Sequence, residues 1–184
     1  IQGGAGDDPF VFNTTVSSNY IYAGAGDDTL RFSAGVNNNS IVSGDAGSDL
    51  LVFSSTVATA GVYGASGGDT LTFAGAVTGS TIDFGADSDI ATFSGAISSS
   101  ASVFGGTGND TLHFNNISIN AASLTGGAGV DLMHGVVSVG SSHVSFWGGA
   151  GADTFNFSTL AGTGGTAYFW NDDSAEDSIV LGSV

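Results

Sequence analysis

The residues in this sequence that could do chemistry are aspartates set behind glycines. The clearest instance is Gly105-Gly106-Thr107-Gly108-Asn109-Asp110, followed by Thr111-Leu112-His113-Phe114. Glycines permit a tight turn with positive φ and leave main-chain carbonyls uncovered, and the aspartate adds a carboxylate at the end of the turn. Carbonyls plus a carboxylate form an all-oxygen donor set, which suits a hard cation such as Ca²⁺. The same phrase recurs at 3–8, 23–28, 126–131 and 148–153, with looser copies ending at Asp49, Asp69, Asp89 and Asp177. The candidate metal ligands are therefore Asp8, Asp28, Asp49, Asp69, Asp89, Asp110, Asp131 and Asp153. With them go the backbone carbonyls of Gly3, Ala5, Gly105, Thr107, Gly126, Ala128, Gly148 and Ala150. Asp7, Asp27, Asp87, Asp172, Asp173 and Asp177 are secondary candidates. The third loop, 43–49, reads as carrying one inserted residue. The fifth, 84–89, puts Asp87 where a glycine belongs and is the least regular of the interior set.

The elements that position these aspartates follow from their spacing of 20 to 24 residues, the mark of a solenoid. Two and four residues after each aspartate come apolar pairs such as Leu30/Phe32, Leu51/Phe53, Leu71/Phe73 and Leu112/Phe114. Eight residues after it comes Val16, Val36, Val57, Val77, Ile97 or Val139, with slips at Ile117/Ile119 and Leu160. A third ladder precedes each turn: Ile1, Ile21, Ile41, Val62, Ile82, Val103, Leu124, Phe146 and Tyr168. Alternating apolar positions supplied from two sides fill the interior of a narrow β-solenoid. A disordered Gly/Ser-rich chain would not carry such ladders. The expectation is one all-β domain over 1–184, a parallel, β-roll-like β-solenoid of about nine coils of 20–22 residues. Its coils begin near 1, 21, 41, 62, 82, 103, 124, 146 and 168.

Charge narrows the function. The formal net charge is −16, from 17 acids against Arg31 alone. Nucleic acid and anionic membrane surfaces are excluded as partners, and no apolar run is long enough for membrane insertion as a helix. The acids fall at one phase of the repeat. Carboxylates about 4.8 Å apart repel by roughly 1 kcal/mol per neighbour even in water. About seven Ca²⁺ ions, one per gap between stacked loops, would nearly cancel the charge. There is no cysteine, so any staple is ionic. The absence of an initiator Met and signal peptide fits a processed extracellular chain or an excised segment. No Ser/His/Asp or paired-carboxylate constellation stands outside the repeat, so no enzyme is expected. His113 and His134 are expected to stack outward as an exposed pair. Asn-x-Ser/Thr sequons at Asn13, Asn38, Asn109, Asn116 and Asn156 leave surface glycans open.

The pattern G-G-x-G-x-D followed by alternating apolar residues resembles the calcium-binding nonapeptide repeats of RTX (hemolysin-type) proteins. The resemblance implies parallel β-rolls with Ca²⁺ between successive turns, in secreted bacterial proteins. One departure matters: the second half of each coil, such as 14–19 or 97–102, is Ser/Thr/Asn-rich and lacks the aspartate, so calcium is expected along one edge only. Three roles follow as expectations. The first is a structural subunit of an extracellular filament, sheath or surface layer. The second is a folding and secretion module of a larger toxin or hydrolase. The third is an ice-binding module, disfavoured because only Thr70/Thr72 gives Thr-x-Thr. Since strand-like apolar spacing runs to both ends, copies are expected to stack head to tail, with lateral association a further option.

Overall fold

Short alternating apolar segments between glycine turns are too brief for helices, and a β-strand is the conformation that puts every second side chain on one face. In a computed structural model, which describes residues 1–162, 164–170 and 175–183, the segments wind into a parallel β-solenoid. Among the described residues no helix is long and apolar enough to cross a membrane. The front face is a nine-stranded parallel sheet: Gln2–Ala5, Tyr20–Ala25, Ile41–Ala46, Gly61–Ser66, Thr81–Ala86, Ser102–Thr107, Ala122–Ala128, Val144–Ala150 and Ala167–Trp170. The aspartate turn leads from each front strand into a back strand, the first being Pro9–Phe12 and the last Ser178–Ser183. In the first five coils a bend and a two-residue side strand, such as Val57–Ala58, complete the turn. From Thr111–Asn120 onward back and side strands merge into one.

The interior is a set of like-on-like stacks. Phe12, Phe32, Phe53, Phe73 and Phe93 lie ring on ring with centroids 4.7–5.0 Å apart, the strand spacing itself. Leu30, Leu51, Leu71 and Leu112 form a second fully buried row, and Val36, Val57, Val77 and Ile97 a third. At Gly135 the phenylalanine stack breaks. Phe146 leans across from the front sheet to fill the gap, 5.1 Å from Phe157 and 5.2 Å from Phe169.

The structure corrects three details of register. Val42, not Ile41, faces the core and pairs with Ile21; Phe169, not Tyr168, pairs with Phe146. The third loop has no insertion, because Asp45 and Ala46 pair directly with Gly24 and Ala25. The extra residue sits at the opposite corner. There, coils with a 20-residue step turn on a single left-handed residue (Ser18, Thr59 or Gly79). The 21-residue steps that end at Asp49 and Asp110 use two, Asn38–Asn39 and Ser99–Ser100. Asn and Ser can enter the left-handed region at modest cost, so that corner absorbs length variation without disturbing the aspartate turn. A bulge at Asn116, with φ of 54°, explains the slip at Ile117/Ile119: Ile119 continues the side ladder from Ile97, and Ile117 is an added inward residue paired with Val137.

Because each core ring touches its like on both sides, Phe73→Ala leaves a cavity that neighbouring coils cannot close. The expected loss is about 3–5 kcal/mol by denaturant unfolding in saturating calcium. A loss below about 1 kcal/mol would contradict the stacked core.

Candidate metal row at the glycine corner

The aspartates of the repeat do not line an outer edge. They turn inward. Asp28, Asp49, Asp69, Asp89, Asp110, Asp131 and Asp153 are all 1–2% exposed, and the carboxylates of Asp49, Asp69, Asp110, Asp131 and Asp153 occupy the space left by a corner glycine five residues earlier. A Cβ on Gly126 would run into Asp131 Oδ2 and lie 2.6 Å from the Gly148 carbonyl oxygen. On Gly105 it would lie 2.7 Å from Asp110 Oδ2 and collide with the Gly126 carbonyl. At Gly44, Gly64, Gly105 and Gly126 a bare glycine, an inward carboxylate and the carbonyl of the next coil thus converge, and this is why the position wants glycine.

The two carboxylate oxygens have different roles. Each Oδ1 accepts the backbone N–H of the aspartate one coil before: Asp8 to Asp28 at 2.7 Å, Asp28 to Asp49 at 2.7 Å, Asp69 to Asp89 at 2.6 Å, Asp110 to Asp131 at 2.8 Å. The chain of bonds runs on through Asp153 to Asp177. The same aspartates' carbonyls accept from the next coil, as when Leu50 N–H donates to Asp28 at 2.8 Å. The Oδ2 atoms of Asp28, Asp49, Asp69, Asp89, Asp110, Asp131 and Asp177 are buried without a protein hydrogen-bond partner. A row of buried carboxylate oxygens without donors is costly unless something positive or protonated meets them.

The pKa values measure that cost. Burial pushes the Asp49 carboxyl up to about 6, Asp69 and Asp131 to about 7 and Asp89 to about 8. The N–H bond to Oδ1 pulls the other way, and neighbouring carboxylates push up again. Asp110 is raised by burial too.

A hard cation fits this donor set. Among the described residues no three His, Cys, Asp or Glu side chains gather around one point, so such an ion would be held by carboxylate Oδ2 atoms and main-chain carbonyls. The structure brings together the Gly126 and Gly148 carbonyls with the carboxylates of the coils before them. The Ala128 and Ala150 carbonyls are already accepting from Gly108 and Gly129 N–H groups at 2.8 Å, each with a second lone pair spare. At Gly3 a Cβ would lie 2.8 Å from Asp8 Oδ2, the same arrangement at the exposed first coil. Gly105 is the corner glycine of the sixth coil, and Ala5 and Thr107 lie in the ladder at the third loop position.

Of the secondary candidates, Asp7 and Asp27 point to solvent. They form an outer ladder instead, Asp27 N–H donating to Asp7 Oδ1 at 2.9 Å and Ser48 N–H to Asp27 Oδ1 at 2.8 Å. Asp87 is exposed and takes up the left-handed φ of 79° that its missing glycine would have had. Asp177 continues the inner row; Asp172 and Asp173 lie outside the described residues. The stronger irregularity of the fifth loop is Phe84, which stands in the corner-glycine register with its side chain fully buried. Its neighbour Asp89 is raised further than Asp49, Asp69 or Asp131. The sequence held that signal as a Phe in a column of glycines and alanines. His113 and His134 stack on the back face with centroids 4.6 Å apart.

Against known proteins, the family model for the RTX calcium-binding nonapeptide repeat (4 copies) matches residues 12–38, 102–115 and 136–165. These stretches contain the turns ending at Asp28, Asp110 and Asp153, and the structure repeats their geometry in the coils between. In those stretches the sequence matches RTX calcium-binding repeats, and the parallel β-solenoid is consistent with a β-roll. No curated protein and no solved structure matches it. The RTX repeats here are built as a single-edged β-roll: the glycine–aspartate turn occurs once per coil, and the opposite corner is closed by uncharged left-handed residues.

Two outcomes follow. Each raised carboxyl binds its proton more tightly folded than unfolded, so without calcium its contribution to stability is greatest below the unfolded value of 3.8 and declines as pH rises through the folded values of about 6–8. In a chelator, the melting temperature is expected to fall between about pH 5 and pH 8. A rise over that range would contradict the inward row. Gly126→Ala, whose methyl would meet a carboxylate and a backbone carbonyl, is expected to cost on the order of 1–3 kcal/mol in calcium. The control Gly6→Ala, where nothing lies within 4 Å but φ is 104°, separates crowding from backbone strain.

Proposed function

We propose that the RTX repeats make this chain a calcium-clamped structural β-solenoid of an extracellular assembly, a filament, sheath or surface layer. The observation that carries the reading is the row of buried Oδ2 atoms with no protein donor, repeated from coil to coil on one corner. With calcium bound, a divalent charge neutralises neighbouring carboxylates and ties one coil to the next. The protein's own part is to hold the carboxylates inward and to present carbonyls beside them. Binding that requires stacked coils becomes folding free energy, which suits a chain that stays unfolded where calcium is scarce and folds where it is abundant. RTX proteins are typically secreted, and an outside destination fits that chemistry. A strongly acidic surface with a single cationic side chain keeps such a body soluble.

Stacking of further copies belongs to the same proposal. The contact between successive coils is generic, a ring on its like and a carboxylate on an N–H, so a coil of a second copy could supply it. A folding and secretion module predicts the same calcium dependence without assembly. Sedimentation velocity in millimolar calcium distinguishes them: concentration-dependent growth of long particles supports the structural role, and a strict monomer at high concentration overturns it.

Chelation is expected to remove the β-sheet circular dichroism signal at neutral pH and to restore it on adding calcium. Asp110→Ala and Asp131→Ala are expected to raise the calcium midpoint for folding more than Asp89→Ala, whose corner Phe84 already disturbs. Equal shifts for all three would count against corner-specific ligation.

A further inference from the structure

The chain's aromatic residues are sorted by chemistry. Twelve of its 13 phenylalanines belong to the inward ladders or the core, and all four tyrosines and both tryptophans lie on strands of the front sheet. Tyr22, Tyr63, Trp147 and Trp170 share one outward row with the exception among the phenylalanines, Phe104. Strand pairing fixes the order along that row as Gln2, Tyr22, Ser43, Tyr63, Asp83, Phe104, Thr125, Trp147 and Trp170. Up to Trp147 an aromatic ring therefore alternates with a small or polar residue at every second coil, a stride of about 9.5 Å.

Stability does not require this arrangement. The rings stand outside the core, and Tyr and Trp are the residues that offer a broad apolar body with a polar tip to a partner. Tyr63 lies back along its own strand, over Gly61: a Cβ there would sit 2.7 Å from its ring and 2.9 Å from its hydroxyl. The ring thus lies against the sheet rather than standing off it. Between rings the face is concave and mainly apolar, with a few polar groups at its margins. A hollow of about 320 Å³ runs between Tyr22 and Tyr63, floored by Ser43, Ala65 and Gly85 and flanked by Asp83. A second, of about 300 Å³, joins Tyr22 to Gln2 and Asp45. Ser43 Oγ donates to Asp45 at 2.5 Å, and Asp83 stands half-buried between Tyr63 and Phe104 as a further acceptor. At the far end Trp147 and Trp170 stack at 5.0 Å, with Tyr168 6.1 Å from Trp170 and His143 edge-on to Tyr168.

We propose that the front face is a binding surface for an extended, uncharged β-1,4-linked polysaccharide laid along the solenoid axis. In such a ribbon every second sugar presents the same apolar face, at a stride near that of the rings, and the hydroxyls between fall where Ser43, Asp83 and Thr125 stand. Acceptor carboxylates suit hydroxyl donors. Asp45 and Asp83 on this face, with the sequence's single arginine elsewhere, disfavour an anionic polymer such as a polyuronate or a nucleic acid. The single arginine, Arg31, is on the back face, where it pairs in register with Val11 and Val52.

The test uses the calcium-folded chain and three probes: microcrystalline cellulose, chitin, and soluble cellohexaose read through the fluorescence of Trp147 and Trp170. Expected results are retention on at least one of the two solids, not displaced by salt, and a saturable fluorescence change with cellohexaose if the cellulose-type chain is the one bound. Tyr63→Ala and Phe104→Ala are each expected to weaken binding about tenfold or more, and the pair to abolish it. Both variants should keep the circular dichroism and melting temperature of the parent, since both side chains lie outside the core. His113→Ala on the back face should bind as the parent does. Failure of the folded chain to bind either solid overturns the proposal, as does retention unchanged in the Tyr63/Phe104 double variant. Stronger binding to an anionic polyuronate, or lateral association of copies through this face without glycan retention, also overturns it.

Discussion

A column of carboxylates at the strand spacing, turned into the protein rather than out of it, is the constraint on which this structure depends. Eight coil-to-coil bonds from N–H to Oδ1, from Asp8 through Asp177, hold the column in register. The corner glycines exist because the carboxylates need their space. The left-handed glycines that follow let the turn close within six residues. With one oxygen of each carboxylate committed to the preceding coil, the other is left facing a carbonyl and its own neighbours, which no side chain in this nearly cation-free sequence can neutralise. Protons or a divalent ion must do it. Folding and charge neutralisation are thereby one process, and on the proposed reading pH and calcium act on the same atoms.

The rest of the cross-section is arranged to tolerate that column. The phenylalanine and leucine stacks need like residues only at fixed steps from the aspartate, and Oδ1 fixes those steps. Variation in coil length is sent to the far corner, where one or two left-handed Asn, Ser, Thr or Gly residues suffice. Later coils dispense with the side bend altogether and run a single long back strand with a bulge. Where the column itself is disturbed, at Phe84, the cost appears in the adjacent carboxylate, Asp89, rather than in the backbone, since Gly85 still pairs with Ala65 and Gly106.

Much of this could be read from the sequence, because solenoid order makes one period carry three ladders at once. The turn phrase, the all-β parallel architecture, the inward pairs such as Leu71/Phe73 and the His113/His134 stack all follow from spacing alone. What spacing could not give was direction and depth. A carboxylate after a glycine turn can point to solvent or into the coil with equal period, and only the space beside the corner glycine decides. Ile41 and Val42 are both β-branched and adjacent, so a one-residue shift at Asn38–Asn39 was invisible until pairing fixed it. The two-coil alternation on the front face also lay in the sequence, at Tyr22, Tyr63 and Phe104. It is hidden there because a single-coil period averages rings with serine and aspartate.

The most direct measurement is a crystal structure grown in calcium, with anomalous scattering used to place the ions. The account predicts a line of peaks inside the glycine corner, each between the Oδ2 of one coil and the first-position carbonyl of the next, weakest or missing beside Phe84. An empty corner, or peaks confined to the outer ladder at Asp7 and Asp27, would contradict it.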